Sequence, residues 1–188
     1  MQLGSAQLVA ISHLPQNVPD ATHLEAWVKV ACARGAQALI LRENHRSLPE
    51  QQRLWGQLQH ICHRLGLPVS LAVNTAVPAL FDGLQQVHLK RTAPQPVGQV
   101  LRWGRSCHTT EALTAARDAG AAWAFFSPVK PTASHPGQDA MGWAAFAEGC
   151  RAAYPLPVYA LGGVSPADVP IARANGAVGI AAISAFSP

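Results

Sequence analysis

A few residues in this chain have types and spacing suited to binding or moving charge. Gly162-Gly163 interrupts the apolar run 158–161 and is followed by Ser165, Pro166 and Asp168. These three read as a helix start, with an N-cap, a proline at the first helical position and an acid in the first turn. Paired glycines expose backbone N–H groups to which a phosphate can be brought close. Ser184 and the amides beyond Ile183, at the end of the next apolar run (178–183), add further donors. The pair would serve equally as a plain tight turn. Arg42 stands at the end of the apolar run 38–43, where a guanidinium needs an anion or a carboxylate partner. That partner could be a ligand or a structural acid such as Glu43. Ser106 and His108 alternate in phase with Gly104, and His88 shares a side with Lys90.

These residues must be positioned by elements that alternate along the whole chain. Runs with strand character occur at 7–12, 38–43, 68–73 (closed by Asn74), 85–90, 100–106, 122–129, 158–161 and 178–183. Between them lie helical patterns. One is opened by a capping box at Thr22 and Glu25, another by Ser47 and Glu50, and further ones span 76–81, 109–119 and 143–153. The turn-rich stretch 130–142 is the longest loop, and long loops in compact α/β folds usually carry function. Counting gives about eight strands and seven helices in βα order, hence α/β class, a (β/α)8 TIM barrel in one domain over 1–188. In such a barrel the loops after strands seven and eight form the usual phosphate site. A doubly wound open sheet is the competing arrangement, but no G-x-G-x-x-G turn follows the first strand.

Composition narrows the partners. Charged residues are only 13% of the 188, so both faces of the strands must be buried, as in parallel sheets. The formal charge of +4 comes from scattered Lys and Arg, which argues for a small anionic ligand and against nucleic acid. Cys32, Cys62, Cys107 and Cys150 lie far apart with no metal or disulfide spacing, as expected for reduced thiols in a cytoplasmic protein. No run is long and apolar enough for a membrane span, and no signal peptide is evident.

The segments LILREN (39–44), VN (73–74), VHL (87–89), GRSCHTTEA (104–112), SPVKPTASHPG (127–137), YALGGVSP (159–166) and GAVGIAAIS (176–184) together resemble the thiamine phosphate synthase/TenI superfamily. Its members are TIM barrels that handle thiazole phosphate in thiamine biosynthesis. The resemblance implies substrate- and phosphate-binding roles for Arg42, Asn74, Ser106, Thr132, Ser134, Gly162, Gly163, Ile183 and Ser184. It also exposes departures. Synthases carry a VQLRxK-like second strand, where this chain keeps only Arg42, between Ile40 and Asn44. Their Asn-Asp pair, which supplies a Mg²⁺ ligand, is here Asn74-Thr75, and their second acid falls among Lys90, Arg91, Thr92 and Ala93. The lysine that assists the departing pyrophosphate is replaced by His135. TenI-type tautomerases also lack the acids, but their general acid/base histidine is here Pro128.

Two histidines, His108 and His135, are left as candidate proton carriers, with a backbone-paired core histidine and an exposed loop histidine as their plainer alternatives. The expected function is therefore to bind a phosphorylated thiazole or thiamine-like molecule, with TenI-like proton transfer. Alternatives are a variant synthase, which alone would call for Mg²⁺, or a non-catalytic binding module. No cofactor or resident metal is expected otherwise. After Ser184 too few residues remain for an eighth helix. Apolar outer faces of the first and last strands should then be open, favouring a homodimer.

Overall fold

The computed structural model describes residues 2–15, 20–96, 101–132 and 139–188. Eight parallel strands close into a barrel in sequence order: β1 (Leu8–Ile11), β2 (Ala38–Leu41), β3 (Ser70–Asn74), β4 (Gln86–Leu89), β5 (Arg102–Cys107), β6 (Trp123–Phe126), β7 (Val158–Ala160) and β8 (Gly179–Ala182). Closure is made by β1 on β8, with Leu8 opposite Ile180 and Ala10 opposite Ala182. The side-chain period of two divides each strand between two cores. Val9, Ile11, Ala38, Ile40, Ala72, Trp123, Phe125, Tyr159 and Ala181 fill the interior. Ala10, Leu39, Leu41, Val73, Ala124, Phe126, Ile180 and Ala182 face the helices. The low charge of the sequence has its cause here, since both strand faces are dry.

Five α-helices occur among the described residues: α1 (Asp20–Ala33), α2 (Leu48–Arg64), α3 (Thr110–Asp118), α4 (Gly142–Ala153) and α5 (Val169–Ala174). The Ser47 box forms, its backbone N–H donating to the Glu50 carboxylate at 2.9 Å. The Thr22 box does not. Helix α1 begins at Asp20, so Thr22 lies inside it, and Glu25 instead pairs with Lys29 at 2.8 Å and Arg64 of α2 at 2.5 Å. The helix expected over 76–81 is a single 3₁₀ turn, Pro78–Leu80. Ser165, Pro166 and Asp168 likewise open a 3₁₀ turn, Pro166–Asp168, ahead of α5.

The two ends of the chain seal the barrel in different places. Leu3 and Ala6 are fully buried beneath the interior layer, and the Tyr159 hydroxyl donates to the carbonyls of both. At the other end, a 3₁₀ turn, Ser184–Phe186, drives Phe186 to full burial in the outer core beside the β1–β8 seam. Arg34 of α1 holds that turn by donating to the carbonyls of Ala185 at 2.7 Å and Ser187 at 3.0 Å. The open apolar patch expected from the missing eighth helix is therefore absent: Ala10, Ile180 and Ala182 are all buried. Phe186 is buried in the same outer core, and the argument for a homodimer from an open patch goes with the patch. No helix among the described residues is long and apolar enough to cross a membrane.

Candidate functional site

The C-terminal ends of the strands frame two adjoining cavities, of about 80 Å³ and 320 Å³, which share His108, Ser127, Leu161 and Ile183 in their walls. The smaller one brings together Thr132, Gly162, Gly163, Ile183 and Ser184, five of the residues singled out from sequence. The larger one gathers Arg42, Asn74 and Ser106 with His88, Lys90 and Arg91. Ser134 and His135 lie outside the described residues.

The glycine pair has a second reason for being glycine. Gly162 and Gly163 have φ of +91° and +65°, which side chains resist. A Cβ on Gly162 would also sit 2.8 Å from Pro128, and one on Gly163 would strike the Pro131 carbonyl. The turn packs against the loop after β6 and is tied to it by Val129 N–H to Leu161 O and Lys130 N–H to Gly162 O, each 3.0 Å. Asp168 clamps the same corner, accepting from Lys130 Nζ at 2.6 Å and from the Ser165 N–H at 2.9 Å. The neighbouring ammonium and these hydrogen bonds outweigh partial burial and hold the Asp168 carboxyl below its usual range.

Arg42 is not paired with Glu43. That carboxylate turns away, accepting from Ser12 Oγ at 2.6 Å and the Leu14 N–H at 3.1 Å, with His45 and Arg46 nearby. The Arg42 guanidinium lines the larger cavity with no partner among the described residues. Asn44 Nδ2 donates to Asn74 Oδ1 at 2.8 Å.

The sequence marks His88 by its phase with Lys90 and by its place in the VHL segment, but assigns it no role. It is buried, stacked on Phe125 at 4.1 Å, accepts from Trp123 Nε1 at 3.1 Å through Nδ1, and meets Ser106 Oγ at 2.9 Å through Nε2. Burial, reinforced by the charges of Arg105 and Arg42, pushes its pKa down to about 3. Nothing in the sequence pairs His88 with Trp123, because register across three strands brings them together. His108 stands exposed at the rim, its Nδ1 2.9 Å from the Ser127 carbonyl. A carbonyl only accepts, so this shorter contact calls for hydrogen on Nδ1, which Ser127 Oγ also approaches at 3.3 Å, and the neutral ring then carries its lone pair on Nε2. His108 is thus backbone-paired, yet not a core residue.

The Mg²⁺ that the synthase resemblance implies would need carboxylate or phosphate oxygens. No Asp or Glu lines either cavity among the described residues; Lys90, Arg91 and Thr92 line the larger one, and Thr75 and Ala93 hold the positions that the resemblance gives to acids. The residues present do not fit that ion.

Comparison with known proteins places this geometry. The thiamine-phosphate synthase of Bordetella avium is 34% identical over 181 residues, which is 88% of this chain and 81% of the relative. That of Thiobacillus denitrificans is 30% identical over 181 residues, or 92% and 84%. A thiamine phosphate pyrophosphorylase from Pyrococcus furiosus shares the fold with a TM-score of 0.75 at 20% identity, covering 96% of this chain and 87% of its own. The family described as thiamine monophosphate synthase (TMP-TENI) matches residues 8–186, so this barrel is a member of that enzyme family.

Proposed function

We propose that the barrel binds a phosphorylated thiazole or a thiamine-like phosphate, with the phosphate in the smaller cavity between the glycine turn and Ser184. The ring would then lie toward the larger cavity, beside His108. The observation that carries this reading is the place of His108, which lines both cavities and keeps Nε2 free as a base. The Gly163 and Ser184 backbone would supply fixed donors to the phosphate oxygens. His108 Nε2 would take a proton from the ring and return it elsewhere, a TenI-type shift needing no group from outside the pocket. Four unpaired thiols accord with a cytoplasmic setting.

Turnover of thiazole carboxylate phosphate by the purified protein tests this. His108→Gln should lower kcat by about 10²–10⁴-fold while changing KM little. Unchanged turnover in that variant would remove His108 from the chemistry. A second reading, thiamine phosphate synthesis, draws support from the similarity to thiamine-phosphate synthases and from Arg42, which has no hydrogen-bond or ion-pair partner among the described residues. Product formed from the pyrimidine diphosphate and thiazole phosphate would favour it. Ligand binding without turnover in either assay would favour a binding module.

A further inference from the structure

A divalent cation is held by oxygen lone pairs, whereas an oxyanion is held by hydrogens. The wall of the larger cavity has its polarity set by two short relays. Trp123 Nε1 can only donate, and it donates to His88 Nδ1. The hydrogen of His88 is therefore on Nε2, which donates to Ser106 Oγ. Ser106 accepts there and keeps its own proton for whatever occupies the cavity. A protonated His88 would set two hydrogens against each other at Trp123, and a pKa near 3 keeps the ring neutral. Gly104 is part of this device, because a Cβ there would overlap the Trp123 indole. Beside them, Asn44 occupies Asn74 Oδ1 and leaves Asn74 its amino hydrogens. Arg42, Lys90 and Arg91, whose side chains can only donate, line the same cavity, with Thr92, Ser127 and His108 as its other polar residues.

We infer that the larger cavity is a receptor for a multiply charged oxyanion, held by direct N–H and O–H donation with no bridging divalent cation. Lys90 and Arg91, exposed at the mouth, supply the countercharge that a metal would otherwise bring. A ligand with phosphate at one end and a second anionic group at the other would span both cavities. This extension rests on the function proposed above, but the receptor itself is testable with an anion that has no ring and no reaction to undergo.

The probe is inorganic diphosphate, titrated calorimetrically in EDTA and again with excess Mg²⁺. Binding should persist in EDTA. It should weaken at least tenfold in the Lys90→Gln/Arg91→Gln double variant, whose altered side chains are exposed and leave the core untouched. Ser106→Ala should weaken it several-fold. Binding that appears only with Mg²⁺, or that ignores the double variant, overturns the inference. The relay has its own readout in the imidazole ¹⁵N spectrum: His88 should show a protonated Nε2 and a bare Nδ1 at neutral pH. The opposite tautomer would reverse the polarity of Ser106 and refute the donor wall. None of these measurements depends on His108 or on turnover, so their failure is distinguishable from failure of the proposed function.

Discussion

A buried imidazole that must stay neutral couples folding to the acidity of the medium. His88 titrates near 3 in the folded chain and near 6.5 when unfolded. Below 6.5 the unfolded state binds the extra proton, so stability falls as pH drops from 6.5 toward 3, by up to about 1.4 kcal/mol per unit. Urea unfolding at pH 6.5 and 5.0, above the range where carboxylates protonate, should show this slope in the parent. His88→Asn should flatten it; an equal slope in both proteins would mean the ring is not held neutral. At this scale the sequence was half legible. Alternation put Arg42, Ser106 and His108 toward the ends of strands, and there they stand around the cavities. What Glu43, Trp123 and the Ser127 carbonyl do to them was hidden, because each contact is made between strands or loops that only closure brings together.

Elements were read best where their signals are local. The Ser47–Glu50 box lies within four consecutive residues and forms. The same pattern at Thr22–Glu25 does not form, because the helix already begins at Asp20, and Glu25 pairs with Lys29 and with Arg64, thirty-nine residues away. The glycine turn after β7 was placed well but understood incompletely. The sequence marks the pair as exposed backbone for a phosphate, and the missing Cβ of Gly162 also points at Pro128. Gly162→Ala should therefore destabilise the fold itself, by about 1–3 kcal/mol of backbone strain plus the displaced loop. Thermal unfolding without ligand checks this: an unchanged Tm would return the turn to a purely ligand-facing role.

For the whole molecule, alternating runs were enough to foresee a closed barrel, since each βα unit repeats one pattern. They could not foresee that Phe186 would be fully buried in the outer core, because a single aromatic after the last strand has no periodicity. Phe186→Ala should cost about 3–5 kcal/mol, the usual range for truncating a fully buried ring. It should also bare the apolar strip over β1 and β8, so that self-association appears in sedimentation velocity where the parent shows less. Equal stability and equal sedimentation would show that the seam is covered by something else. The far end of the tube is stopped as firmly, by Leu3 and Ala6 under the Tyr159 hydroxyl. Among the described residues this leaves the mouth at the strands' C-terminal ends as the open end of the tube. A ligand bound as proposed would therefore come and go past Lys90 and Arg91, which line that mouth.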